Sequence, residues 1–247
     1  MRLLAWNIRQ GGGSRLPRIA EALKRHDAAI VVLSEYRGGP SAPRLCGALH
    51  SLGYRHATTF LPSPGRNGVL VAARHPFREH GAVGAGLLEP YRMVGVDFDT
   101  FRLIGVYMPN LLAKIPYWEA LIAALSLQSP NRALAIGDFN TCRAYVDEAG
   151  AIDATAHYMD AIEQIGFRDL WRHRHPDRPE YSWFSTRNNG FRNDHAFLSQ
   201  ELAACAGTVH YSHEERIAGL SDHSPLIFEL ADNGPGGLSR ETSLSVV

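Results

Sequence analysis

Residues 133–140 read Ala-Leu-Ala-Ile-Gly-Asp-Phe-Asn, an apolar run that stops at Asp138, with Asn140 two positions on. A short apolar run of this kind is what a buried strand looks like. Such a strand has no reason to end in a carboxylate and an amide unless a cation or a polar group waits there. Other runs end alike: residues 3–6 at Asn7, residues 30–34 at Glu35, and residues 103–106 at Tyr107, followed by Pro109 and Asn110. Ser221-Asp222-His223-Ser224-Pro225 opens a last strand over 226–230, and Asp194-His195 lies within the run 191–198.

Strand ends gathered at one sheet edge form a rigid floor for a site. This edge would collect Glu35, Asp138, Asp194, Asp222, two amides, a tyrosine and His223. Clustered carboxylates repel one another and call for a cation, and oxygen donors suit Mg2+, with Mn2+ as a substitute, rather than Zn2+. A hard metal with spare acid and base groups serves phosphate-ester cleavage. The metal screens phosphate charge, a carboxylate activates water, and His and Asn donate to phosphoryl oxygens. Taken singly, each residue has an ordinary reading: Asp-x-Asn forms turns, a Glu after a strand is a solvated end, and Tyr107 is core. Their coincidence in one chain points to a site.

The elements that must position these residues alternate. Strands are expected at 2–6, 28–33, 54–59, 68–73, 93–98, 101–107, 132–136, 181–184, 191–198, 205–210 and 225–230. Helices are expected at 16–26, capped by Ser14, at 42–52, at 117–127, and at 157–165, where Gly166 stops the chain. The pattern suggests two stacked sheets flanked by helices. It predicts one domain over 1–231, with 232–247 as a disordered tail.

Composition narrows the function classes. No apolar run approaches the roughly 18 residues of a membrane helix, and the residues after Met1 are too short for a signal core. A cytoplasmic protein with no membrane partner, acting as a monomer, is expected. Cys46, Cys142 and Cys205 are widely spaced and odd in number, which suggests neither disulfides nor a zinc site. Cys142 reads as a small filler rather than a nucleophile. The 25 basic and 25 acidic residues cancel, so bulk charge does not hold the chain on nucleic acid. A local basic face is expected from the arginines at 168, 172, 174, 178, 187 and 192, with His173 and His175, lining a substrate groove.

The ordered series Trp6-Asn7, Glu35, Tyr107 to Asn110, Gly137-Asp138-Phe139-Asn140, Asp194 and Ser221 to Pro225 resembles the endonuclease/exonuclease/phosphatase superfamily, from residue 2 to about 230. The later half is similar to the exonuclease III branch of abasic-site endonucleases, through Tyr181-Ser182-Trp183-Phe184, Arg187-Asn188 and Gly190-Phe191-Arg192-Asn193-Asp194. The resemblance implies an α/β fold, a four-layer αββα sandwich of two mixed sheets packed face to face. It implies Glu35 as principal metal ligand, with Asn7 and Asp222 nearby, and Asp138 as the base on the attacking water, helped by Asn140. His223 would contact the scissile phosphate, oriented by Asp194, and Tyr107 would lie against the phosphate or leaving oxygen. Asn110, Arg187 and Asn188 would hold flanking phosphates, and Trp183 and Phe191 would wall a sugar pocket.

The chain departs from that branch at Ser34, where Gln is usual, and at Arg9 and Gln10, where small polar or acidic residues are. Asn193 replaces an aliphatic residue and makes the pocket more polar. The segments after Asn110 and Asn140 are short, leaving less loop to grip duplex DNA. The implied function is Mg2+-dependent hydrolysis of phosphodiester bonds in nucleic acid, DNA first, by an endonuclease or exonuclease with a possible place in abasic-site repair. A phosphatase or phosphodiesterase for small or lipid esters is the alternative, and a module that binds without catalysis the second.

Overall fold

The computed structural model describes residues 1–84, 86–127, 132–148 and 153–231. The tail expected over 232–247 lies outside the described residues. The chain runs β1 (Arg2–Asn7), α1 (Leu16–His26), β2 (Ile30–Arg37), α2 (Ser41–Ser51), β3 (His56–Ala57), β4 (Asn67–Ala73), β5 (Arg78–Ala82), β6 (Met93–Asp97) and β7 (Arg102–Tyr107). It continues through α3 (Ile115–Ser126), β8 (Ala133–Asp138), α4 (His157–Gln164), β9 (Phe167–Asp169), α5 (Leu170–Arg174), β10 (Trp183–Phe184), β11 (Gly190–Phe191), β12 (Asp194–Ser199), α6 (Gln200–Cys205), β13 (Ala206–Tyr211), α7 (Glu214–Ile217) and β14 (Leu226–Leu230).

Two mixed six-stranded sheets result, ordered β13-β14-β1-β2-β4-β3 and β5-β6-β7-β8-β12-β9, with β10 and β11 as a separate ribbon. Each sheet has a parallel pair at its centre, β1 with β2 and β7 with β8. A parallel pair is normally buried on both faces, and the sequence obliges with apolar residues at successive positions. Leu3, Ala5, Ile30, Val32, Leu134 and Ile136 face the layer between the sheets. Leu4, Trp6, Val31 and Leu33 face outward against α1 and α2, while Ala133, Ala135 and Phe197 face α3 and α4. The expected four layers are therefore present. Gly105 lets the sheets approach: a Cβ there would stand 2.9 Å from Val71 Cγ2.

Several local expectations needed correction. Ser14 does not cap α1: a 3-10 turn over Gly13–Arg15 leads into the helix, and Pro17 opens it without a side-chain cap. The strand expected over 54–59 shortens to His56–Ala57, and the run 191–198 splits into β11 and β12. The edge strand β5 was missed because its sequence, Arg-Glu-His-Gly-Ala, is polar on an exposed edge. Among the described residues no helix is long and apolar enough to cross a membrane.

Candidate active site

The strands that face each other across the sandwich share one parity, and that parity places the site. A strand alternates its side chains between faces. Leu3 and Ala5 face the inter-sheet layer, so Asn7 does too; Leu134 and Ile136 lead to Asp138, and Ile30 and Val32 lead to Ser34. Leu103 leads to Tyr107, and on β12 Asp194 precedes Ala196 and Leu198 on the same face. The site is the end of the inter-sheet core, where that core turns polar.

Hydrogen bonds stitch the two sheets together there. Asn7 Nδ2 donates to Asp138 Oδ2 at 2.9 Å and to Glu35 Oε1 at 3.2 Å. Ser34 Oγ donates to the Val106 carbonyl at 3.1 Å. Glu35 Oε2 accepts from the Gln10 N–H at 2.7 Å and from Asn67 Nδ2 at 3.0 Å. Asp138 Oδ1 accepts the Asn140 N–H at 2.9 Å, and Asn140 Nδ2 donates to the Met108 carbonyl at 2.8 Å. Ser221 Oγ donates to the Asn7 carbonyl at 2.5 Å, and Trp6 Nε1 to the His223 carbonyl at 3.0 Å, which ties the Asp222-His223 turn to β1.

Backbone strain concentrates at the same place. Glu35, Asn140, Arg9, Gln10 and Leu111 all have φ between 46° and 58°, a region costly for side chains with a Cβ and often occupied at functional sites. Gly137, at φ 143°, precedes Asp138. A Cβ on it would lie 2.0 Å from the Val106 carbonyl oxygen, so glycine is required for β8 to present Asp138 beside β7.

A cleft of about 720 Å³ opens over these residues. Asn7, Glu35, Tyr107, Asn110, Asp138, Asn140, Trp183, Phe191, Asp222 and His223 line it. Asp194 lies just behind, buried, with Oδ2 2.8 Å from His223 Nδ1. Its other oxygen, Oδ1, is buried and has no hydrogen-bond partner among the described residues. Arg187 and Asn188 do not line the cleft; they sit exposed on the turn between β10 and β11.

The electrostatics follow from this packing. Burial pushes the Asp138 carboxyl above the usual carboxylate range and the Asp194 charge adds to it, against the opposing pull of His223 and the Asn7 and Asn140 donors. Burial disfavours a charged His223, yet the carboxylates of Asp194 and Asp138 outweigh it and hold the ring raised, as imidazolium at neutral pH. Burial, with the charges of Glu35 and Asp138, pushes the Tyr107 hydroxyl up to about 12, so it stays a protonated donor. Burial also pushes the Cys142 thiol up to about 12, which suits a filler and not a nucleophile.

Two groups of donors suit different partners. Asp138, Asp194 and His223 offer ligand atoms within 4.8 Å of one another. The His223–Asp194 hydrogen bond already occupies that pair, so the trio reads as an acid–base unit. The carboxylates of Glu35 and Asp222 line the same cleft, oxygen donors that fit a hard divalent cation, while Asn7 turns Nδ2 toward Glu35 and Asp138 and its Oδ1 accepts the Arg9 N–H at 2.9 Å.

Other participants were not singled out from the sequence. Asn67 and the Gln10 amide fix Glu35. The Arg92 guanidinium stacks 4.6 Å over the Tyr107 ring. Lys114 is buried, bonded to the Asn140 carbonyl and, at 2.7 Å, to Asp153 Oδ2. In the sequence it stood only as the first residue of Lys114-Ile115-Pro116-Tyr117-Trp118, a segment similar to the exonuclease III branch, with no role attached to it.

The expected arginine-lined groove is overturned for much of its length. Arg192 is fully buried, bridging Asp147 and Asp169. Arg172 bonds Asp147 at 2.5 Å, and Arg174 donates to the Ala203 and Ala206 carbonyls. A sequence run of arginines does not separate those that neutralise buried carboxylates from those that face solvent.

The Endonuclease/Exonuclease/phosphatase family model matches residues 4–223. An exodeoxyribonuclease of Streptococcus pneumoniae is 25% identical over 279 residues, spanning 93% of this chain and 99% of that protein. Recombination repair protein 1 of Drosophila melanogaster is 29% identical over 160 residues, 55% of this chain and 23% of that protein. Among solved structures, the 3′ phosphatase NExo from Neisseria, bound to a product DNA hairpin, matches with a TM-score of 0.82 at 23% identity, over 94% of this chain and 99% of that one. An AP endonuclease from Archaeoglobus fulgidus matches with a TM-score of 0.82 at 22% identity, over 93% and 99%. These structures share the αββα fold found here, and the match over residues 4–223 places the chain in the endonuclease/exonuclease/phosphatase family.

Proposed function

We propose that this chain is a metal-dependent phosphodiesterase that hydrolyses DNA, a nuclease of the exonuclease III type. The observation that carries the reading is the junction of Asn7, Asp138, Asp194 and His223. It sets a carboxylate of raised basicity beside a charged imidazolium at the open end of the sandwich. The similarity to an exodeoxyribonuclease over 93% of the chain supports DNA as the substrate.

Glu35 and Asp222 would hold Mg2+ or Mn2+, with Asn7 beside them bracing Glu35 through Nδ2. Bound there, the ion would screen phosphate charge and stabilise charge developing on the phosphoryl oxygens. The chain's own residues do the rest. Asp138 Oδ2 accepts from Asn7 Nδ2 and, at 3.5 Å, from Asn140 Nδ2, whereas Oδ1 accepts the Asn140 N–H and keeps a second lone pair for the attacking water. Its raised basicity makes Asp138 the better acceptor for the water's proton. Asn140 keeps that carboxylate oriented. His223 donates a charged hydrogen bond to a non-bridging oxygen, and Asp194 fixes its tautomer through Nδ1. Tyr107 offers a neutral O–H toward the phosphate or leaving oxygen.

A panel assay with Mg2+ tests the reading, comparing abasic duplex, 3′-recessed duplex, single-stranded DNA, RNA and a small aryl phosphodiester. Cleavage of a DNA substrate, stopped by chelator and restored by Mg2+, is expected. Cleavage of the small diester with every DNA left intact would remove DNA from the reading. Activity indifferent to chelator would remove the metal.

A further inference from the structure

One wall of the cleft carries a chemistry that phosphate handling does not use. The rings of Trp183 and Phe191 stand 5.6 Å apart on the β10–β11 ribbon, and Trp183 lies 6.3 Å from the His223 ring. A group resting on these rings is about a sugar's width from a phosphate held by His223. Asn193 lines the same cleft.

The backbone of Asn193 is pinned. Its N–H donates to Ser182 Oγ at 3.0 Å, and its carbonyl accepts the Phe139 N–H at 2.9 Å. Ser182 Oγ also accepts the Asp194 N–H at 3.2 Å, so one hydroxyl sets both residues. The Asn193 residue is only 9% exposed, yet its side-chain amide makes no hydrogen bond with any of the described residues. Neither amide atom is among the buried polar atoms left without a partner, so the amide keeps its hydrogen-bonding capacity open to the cleft that the residue lines, where a ligand can supply the partner.

We propose that Asn193 is a specificity-determining residue that reads a hydroxyl on the sugar whose phosphate is cleaved. The amide accepts through Oδ1 and donates through Nδ2, and a hydroxyl likewise donates and accepts. Trp183 and Phe191 supply apolar faces for the ring of the same sugar. A terminus lacking the hydroxyl would fill the pocket and leave the amide unpaired, which a site built to hydrogen-bond rejects more strongly than a change in bulk. The inference rests on the DNA-nuclease reading above. At a 3′ end the hydroxyl has two sources, the 3′ position of a deoxynucleotide or the 2′ position of a ribonucleotide.

Three duplexes test this, identical except for the 3′-terminal nucleoside: 2′-deoxy, 3′-deoxyribo and 2′,3′-dideoxy. For the unaltered protein, kcat/KM should be roughly 10- to 100-fold higher on a hydroxyl-bearing terminus than on the dideoxy one. The preferred terminus names the source. In Asn193→Leu, of similar volume but without hydrogen-bonding groups, the ratio should collapse to about one. The ratio is read within each protein, so a general loss of activity cancels, and an Asn193→Leu chain that fails to fold leaves the unaltered protein's ratio to decide. Equal cleavage of all three duplexes by the unaltered protein overturns the hydroxyl-reading role while the nuclease reading stands. A ratio preserved in Asn193→Leu overturns it as well. No cleavage of any duplex brings down the nuclease reading and this inference with it.

Discussion

Two buried clusters of charge sit beside β8 and β12 and behave in opposite ways. In one, Asp147 and Asp169 share Arg192, with Arg172 and His195 around them. All four carboxylate oxygens accept hydrogen bonds, at 2.5–3.4 Å. Burial alone would raise these carboxyls, but the Arg192 guanidinium outweighs it and holds both below their usual value, Asp169 far below. In the other cluster Asp138 is pushed up, His223 is held charged, and Asp194 Oδ1 has no partner among the described residues. The divide between them is one residue of pleat. Asp194 faces the inter-sheet layer with Ala196 and Leu198, whereas His195 faces outward with Phe197, bonded to Arg192 and to the Thr141 carbonyl. A closed cluster braces the loop 141–148 against β12; an open one keeps unspent hydrogen-bonding capacity for a substrate.

The sharpest way to break this contrast is to neutralise one carboxylate in each cluster's own terms. Asp138→Asn keeps shape and hydrogen-bonding reach but removes the base, so turnover on the best DNA substrate should fall by roughly 10²–10⁴-fold. The fold should survive, read by an unchanged circular dichroism spectrum and a thermal midpoint no lower than before. An active Asp138→Asn protein would end the proposed role of Asp138. Arg192→Met should do the reverse. It strips Asp169 of its guanidinium and leaves Asp147 with Arg172 alone, and removing one partner of a buried pair costs about 3–5 kcal/mol, seen as a lower urea midpoint. A variant that lost activity yet kept its stability would mean that Arg192 serves the reaction and that the two clusters are one.

pH separates them with opposite signs. For Asp147 and Asp169 the folded values lie below the unfolded one. Their stability contribution is therefore complete above about pH 4 and is lost as pH falls through the depressed folded values. For Asp138 the folded value lies above the unfolded one. Above about pH 4 the native state still holds a proton that the unfolded chain has released, so in metal-free protein this carboxyl costs stability as pH rises toward its raised folded value. Asp138→Asn should remove that cost, and its stability advantage over the unaltered protein, measured in chelator, should grow with pH across this window. kcat of the unaltered protein should rise over the same window as the base form appears. A stability difference independent of pH would show that Asp138 is not perturbed.

The open cluster was the more legible of the two in the sequence. Asp138, Asn140, Glu35 and the Asp222-His223 pair stand where apolar runs stop, and a carboxylate at the end of a buried strand is conspicuous. The parity that aims them at one another was also written there, since Leu134, Ile136 and Asp138 are two apart. The closed cluster was hidden because its members carry no local pattern. Asp147 sits in a loop and Asp169 ends a strand of three residues, while Arg192 looked like one more arginine in a basic run until the fold buried it. Lys114 and Asn67 were missed for the same reason: their role depends on contacts 26 and 32 residues away in sequence.

Arg187 carries the smallest of these effects, and it asks whether the open cluster extends beyond its cleft. Arg187 and Asn188 occupy the turn of the β10–β11 ribbon, which also presents Trp183 and Phe191 to the cleft. Asn188, at φ 61°, closes the turn with its N–H on the Ser185 carbonyl at 2.9 Å. An exposed guanidinium on an ordered turn beside a phosphate-cleaving site is placed to meet a neighbouring phosphate of a polymer and has nothing to meet on a small ester. Arg187→Ala should therefore weaken DNA binding by a few-fold and lower the slope of log affinity against log salt by about one. Its kcat at saturating DNA and its cleavage of a small phosphodiester should not change. Because Arg187 makes no side-chain ion pair among the described residues, stability is not expected to move either. An unaltered salt slope would confine substrate contact to the cleft itself and leave the turn as a strut for the two aromatic rings.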